Sequence, residues 1–118
     1  MLKGAYKMTF LYLNSDEMGD GDSALGKKLM KSFLAELAKS DVSVDMVGCV
    51  NTAVHLTTEG SETLESLKKL EARGARIASC GTCLDYFNKR EKLQIGEIGS
   101  MDQTVLVMNM ADKIIRPN

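Results

Sequence analysis

Residues 76–87 read RIASCGTCLDYF. A short strand pattern, Ala75 to Ser79, stops at a cysteine, and a short helix is expected at once, from Gly81 to Asn88. A strand that turns straight into a helix is the joint of a parallel sheet, because parallel neighbours need a crossover between them. Working outward from this joint shows the same alternation on both sides.

Towards the N-terminus, Lys7 to Leu13 carries Met8, Phe10, Leu11 and Leu13 and reads as a buried strand. Asn14 to Asp22 is polar, with Gly19 and Gly21, and reads as a loop. Leu25, Leu29, Phe33 and Leu37 recur every four residues from Ala24 to Lys39, which predicts one stripe of an amphipathic helix. Asp22 or Ser23 is its N-cap. Val42 to Val50 has the Val and Met content of a strand buried on both faces. After a long connection, Asn51 to Gly60, Ser61 is placed to cap a helix whose dipole Glu62 and Glu65 complement. Leu64, Leu67 and Leu70 form its buried face, and Gly74 ends it.

Towards the C-terminus, Gln94 to Ile98 is a fourth strand. Ser100 and Gln103 make a capping box for a helix to about Ala111, and Lys113 to Arg116 is the last strand. The order is β-α-β-α-β-α-β-α-β. Strict alternation predicts an α/β fold: a mainly parallel five-stranded sheet, right-handed crossovers and helices on both faces, in one domain spanning residues 1–118. Ligands of such sheets bind at the carboxyl ends of the strands. The loops at 14–22, 50–60, 80–83 and 98–101 should therefore gather on one rim.

Composition narrows the function classes. The 118 residues are 44% hydrophobic and 26% charged, as in a globular domain with a sizeable core. A net charge of −1 gives no field to attract nucleic acid or an anionic membrane. No apolar run approaches a membrane span, and residues 1–10 lack a signal-peptide core. These features point to the cytoplasm. Three cysteines are an odd count, which argues against a disulfide framework. The eight methionines read as core filler.

Residues 21–28, GDSALGKK, match the spacing of a phosphate loop, but Lys28 stands where a Ser or Thr would hold magnesium. Asp16, Glu17, Asp20 and Asp22 would repel a polyphosphate, so the stretch reads as an acidic cap followed by a close-packed glycine.

Cys80 falls on the predicted rim. Thr82 is a good N-cap with Asp85 three residues on, which would put Cys83 at the first helical position. Unpaired amides and the helix dipole would then favour thiolate at both sulfurs. Gly81 leaves room for a partner, and either thiol could resolve a persulfide or mixed disulfide on the other. Other readings stay open. Zinc would need Cys49 and His55 as further ligands. A thioredoxin-type exchanger uses this motif, but early in its chain and beside a cis-proline, whereas the only proline here is Pro117. Two inert buried cysteines are the plain alternative. Cys49 lies inside a strand pattern and reads as buried and inert, and His55 as an exposed loop residue.

The words LTTEGS (Leu56–Ser61) and CGTCLDY (Cys80–Tyr86), with Gly96 and Met101 around the fourth strand and Asn51 and Val54 as an N-x-x-V, resemble the DsrE/DsrF-like sulfur-relay family. The closest likeness is to the DsrE-like domain of YedF-type proteins, named sulfurtransferase-like selenium metabolism proteins. It runs from the first strand to MADKII. The resemblance implies a three-layer α/β/α sandwich, a homo-oligomer (dimer, trimer or hexamer) and a strand-end cysteine that carries a persulfide to a partner. By position, Cys80 matches that carrier and Cys83 is the subgroup's extra cysteine. YedF-type proteins carry a TusA-like domain before this one. No such segment lies in these residues, so the chain reads as a stand-alone relative or an excised domain with a separate, TusA-like sulfur donor or acceptor as partner. The expected activity is persulfide transfer without metal or other cofactor, catalysed by Cys80 and Cys83. Asn51, Gly81, Thr82 and Met101 would bind the substrate. The alternatives are a non-catalytic module holding a small anion or a partner, and a thiol-disulfide exchanger.

Overall fold

A computed structural model describes residues 7–118; residues 1–6, part of the stretch read as lacking a signal-peptide core, lie outside the described residues. The elements alternate: β1 (Thr9–Leu13), α1 (Ser23–Lys39), β2 (Met46–Cys49), α2 (Leu64–Ala72), β3 (Arg76–Cys80), α3 (Gly81–Tyr86), β4 (Glu97–Gly99), α4 (Met101–Met110) and β5 (Lys113–Ile115). Two 3₁₀ helices, Asn51–Leu56 and Arg90–Lys92, lie in the connections. The sheet order is β4-β3-β2-β1-β5, and every pairing is parallel.

The order explains the layers. From β1 to β4 the chain steps one place at a time in one direction, so right-handed crossovers put α1, α2 and α3 on the same face. The return from β4 to β5 crosses the whole sheet and puts α4 on the other face. The side chains agree. Leu11, Leu13, Val47, Cys49 and Ile77 share one core with Met30 and Leu34 of α1, Leu67 and Leu70 of α2, and Leu84 of α3. The alternate positions Phe10, Gly48, Ala78 and Gly99 line a cavity of about 320 Å³ under α4. The result is an α/β/α sandwich. Among the described residues, no helix is long and apolar enough to cross a membrane.

Helix α1 buries Gly26, Met30, Leu34 and Leu37, while Leu25 and Leu29 are 54% and 42% exposed. The predicted stripe is thus turned by one residue at its N-terminal half. The cause is Gly26: a Cβ there would lie 2.9 Å from the Glu17 Cβ, and its carbonyl accepts from the Met18 N–H at 2.9 Å. The loop before the helix seats on this glycine and fixes the rotation. The Asp22 carboxylate caps the helix, accepting from the Leu25 N–H at 2.8 Å. GDSALGKK is therefore a cap and a packing contact.

Other expectations shift locally. β2 starts at Met46 rather than Val42, because Arg73 takes the Ala38 and Val42 carbonyls at 2.9 and 2.7 Å and holds that stretch as a turn. Ser61 does not cap α2; its hydroxyl accepts from the Thr63 N–H inside the preceding turn. Gly74 does end α2, with φ +108 and an Ala75 N–H to Leu70 carbonyl bond of 3.1 Å. Gly96 (φ +78) touches β3 so closely that a Cβ would sit 2.3 Å from the Ile77 carbonyl oxygen. The methionines are not core filler: among the described residues only Met30 is fully buried.

Candidate functional site

β3 delivers Cys80 to the rim in register with Gly99 of β4. One residue earlier, Ser79 is fully buried, and its hydroxyl lies 2.6 Å from that of Thr57. Thr57 donates its own proton to the Val54 carbonyl (3.1 Å), so Ser79 is the donor to Thr57. This pair ties the end of β3 to the connection after β2.

The turn into α3 occurs at Cys80, which is the N-cap residue, and the helix begins at Gly81. Thr82 is therefore the second helical residue, not the cap, and Cys83 is the third. The expected capping box fails because Asp85 is already engaged: Arg90 grips it with Nε at 2.7 Å and Nη2 at 2.9 Å. The hydrogen bonds between them, and then their opposite charges, hold the Asp85 carboxyl below, and the Arg90 guanidinium above, their usual ranges. The same Nη2 lies 3.5 Å from the Gly81 carbonyl oxygen. A Cβ on Gly81 would come within 3.0 Å of this nitrogen and 3.1 Å of Ile98 Cγ2, so glycine is what lets the clamp close. The sequence reading missed Arg90.

The two cysteines sit together, both half-buried and free. Cys83 Sγ accepts from the Asn51 N–H at 3.1 Å and lies one helical turn from Cys80. Asn51 reaches it from a left-handed conformation, φ +54, that asparagine adopts more readily than most residues. Burial pushes the Cys83 thiol up, the Cys80 side chain adds to this, and the Asn51 amide pulls the other way without prevailing. The expectation that Cys83 is favoured as thiolate is thus reversed, because partial burial outweighs a single amide.

A cavity of about 360 Å³ lies beside Cys83, lined by Asn51, Thr82, Cys83, Tyr86 and Phe87. Cys80 and Met101 are not among its walls. Met101 is exposed at the start of α4, two residues past the partner of Cys80 in the ladder. The structure thus joins Asn51, Thr82 and Cys83 around one cavity, leaves Cys80 and Gly81 outside its lining at the start of α3, and leaves Met101 on α4.

Cys49 is buried in the core, and burial pushes its thiol up to about 12. His55 is not an exposed loop residue. It lies half-buried in the first 3₁₀ helix, its ring 4.6 Å from that of Phe87, and its Nδ1 accepts from Lys89 Nζ at 2.8 Å. Burial and the Lys89 charge keep the imidazole below its usual range, and hence neutral near pH 7. Neither residue completes a zinc site with the pair: among the described residues no group of three or more metal-ligating side chains is placed to hold a metal.

Two solved structures share this architecture over nearly their whole lengths. The ychN protein from E. coli superposes with a TM-score of 0.70 at 18% identity, over 94% of this chain and 99% of its own. MTH1491 from Methanobacterium thermoautotrophicum, a protein of unknown function, does so with a TM-score of 0.65 at 18% identity, over 95% and 100%. No protein-family model and no curated protein matches the sequence. Likeness at that identity speaks for architecture alone. The chain has the three-layer, parallel-sheet α/β fold of these two structures.

Proposed function

We propose that the chain is a sulfur carrier that takes a sulfane sulfur from a donor persulfide and passes it to an acceptor thiol. The observation that carries this reading is the pair itself: a half-exposed Cys80 at the end of an interior strand, with a second free thiol one helical turn on. Cys80 thiolate attacks the outer sulfur of R–S–SH, forming Cys80–S–SH and releasing RS⁻. An acceptor thiolate then attacks that outer sulfur and regenerates the Cys80 thiolate. Burial keeps Cys83 as the thiol, so it does not compete for the incoming sulfur. Thr82 and the Asn51 side chain border the cavity where the donor's group would lie, the buried Gly81 lets Arg90 brace the turn between the thiols, and Met101 offers apolar contact to a protein partner. That partner is a donor or acceptor of the TusA-like kind, in a reducing compartment such as the cytoplasm. A homo-oligomer, with α4 covered by a second copy, completes the proposal. Its support is a run of exposed apolar side chains on that helix.

The test is mass spectrometry after exposure to a persulfide donor. A gain of roughly 32 Da, one sulfur atom, on the peptide carrying Cys80 is expected, and it should vanish in Cys80→Ser. No gain in either the unmodified chain or Cys83→Ser, together with no release of sulfide, would leave a non-catalytic binding module as the better reading.

A further inference from the structure

Building on the carrier reading, we propose that the pair is also a sulfide-releasing device: Cys83 attacks the inner sulfur of the Cys80 persulfide, closes a Cys80–Cys83 disulfide and expels hydrosulfide. Three features converge on this step. Cys80 caps α3 and Cys83 is its third residue, one turn on and on the same side. The Asn51 amide holds Cys83 Sγ at 3.1 Å and would stabilise the anion as the proton leaves. The Arg90–Asp85 clamp reaches the Gly81 carbonyl between the cysteines and keeps the turn from opening.

The balance needs no outside oxidant. Cys80–S–SH and Cys83–S⁻ give Cys80–S–S–Cys83 and HS⁻, and the Cys83 proton passes to water. The Cys83 sulfur is oxidised to the disulfide level while the outer sulfur is reduced to sulfide. A small thiol entering the cavity beside Cys83 then attacks the disulfide. A second molecule completes the reduction, restoring both cysteines and leaving RS–SR. The substrate class is persulfides and polysulfides, and the products are sulfide and an oxidised small thiol. Acceptor thiols and Cys83 would compete for the same intermediate, so the chain would pass sulfur on when an acceptor is docked and discharge it when none is.

The experiment loads reduced protein with an alkyl persulfide, removes the donor by rapid gel filtration, and follows sulfide and the mass of the tryptic peptide from Ile77 to Lys89. Wild type is expected to release about one sulfide per chain, and the peptide to end about 2 Da below its dithiol mass. Cys83→Ser, and Cys83→Ala as a second variant, should retain the added sulfur and release sulfide at least about tenfold more slowly. A wild type that keeps its persulfide as long as the variants overturns the release step and leaves the carrier reading standing. An alkyl adduct on Cys80 in place of sulfur overturns the release step as well. Failure of all three proteins to take up sulfur overturns both readings.

Discussion

Helices α1 and α4 lie on opposite faces of one sheet and meet it differently. α1 buries four positions and sinks Met30 and Leu34 completely among Leu11, Val47 and Leu67. α4 buries none, and Met101, Val105, Leu106 and Met110 are all more than half exposed. The sheet itself accounts for this. Its α1 face presents Leu, Val and Ile throughout, whereas its α4 face presents Gly48, Ala78 and Gly99 beside the one large ring of Phe10, a trough that the α4 side chains leave unfilled. Apolar content alone does not mark a core helix; the surface opposite decides. One face is finished within the chain, and the other is finished, in the proposed oligomer, by a second copy.

The sharpest way to break this contrast is Leu34→Ala. Truncating a fully buried leucine should lower stability by about 2–5 kcal/mol in urea unfolding. A loss under about 1 kcal/mol would mean that the α1 face is no better packed than the α4 face.

The buried face can also be probed by pH. Cys49 has its thiol raised from 9.0 to about 12 by burial, so the folded state keeps a proton that the unfolded chain gives up. Its contribution is intact below the ordinary thiol range and is lost as pH climbs towards 12. Across that window, stability should fall by about 1.4 kcal/mol per pH unit more than in Cys49→Ala. Parallel curves for the two proteins would refute the assignment.

On the other face, Leu106→Glu should change the monomer's stability by less than about 0.5 kcal/mol, since its side chain is mostly exposed. It should nevertheless turn an oligomer into monomers in sedimentation velocity. An oligomer that survives this charge is not built on α4.

Much of the architecture was legible because it rests on periodicity and punctuation. The alternation of elements, the Asp22 cap, the Gly74 stop and the Ser100–Gln103 capping box depend on neighbours in sequence, and all are present. What escaped depends on contacts across the chain. α1 carries two apolar rows one residue apart, and only the seating of Glu17 on Gly26 selects between them. Thr82 and Asp85 have capping-box spacing, yet Arg90 captures the carboxylate first. His55 looks like a loop residue until Phe87 and Lys89 fold against it. The cysteine pair was found by spacing, but the direction of the Cys83 shift follows from how deeply that sulfur sits, which spacing does not encode.

Gly96 presses its α-carbon against the backbone of the strand that carries Cys80. Every other amino acid there would pry β4 from β3, a ladder only three pairs long. Saturation mutagenesis scored by the proposed sulfur transfer would thus return this glycine beside the thiols, although it belongs neither to the pair nor to the lining of the cavity beside Cys83. Heat-melting the same library would separate the two classes: at Gly96 activity and melting temperature would sink together, whereas at Cys80 a serine would silence the chemistry and leave the melt in place.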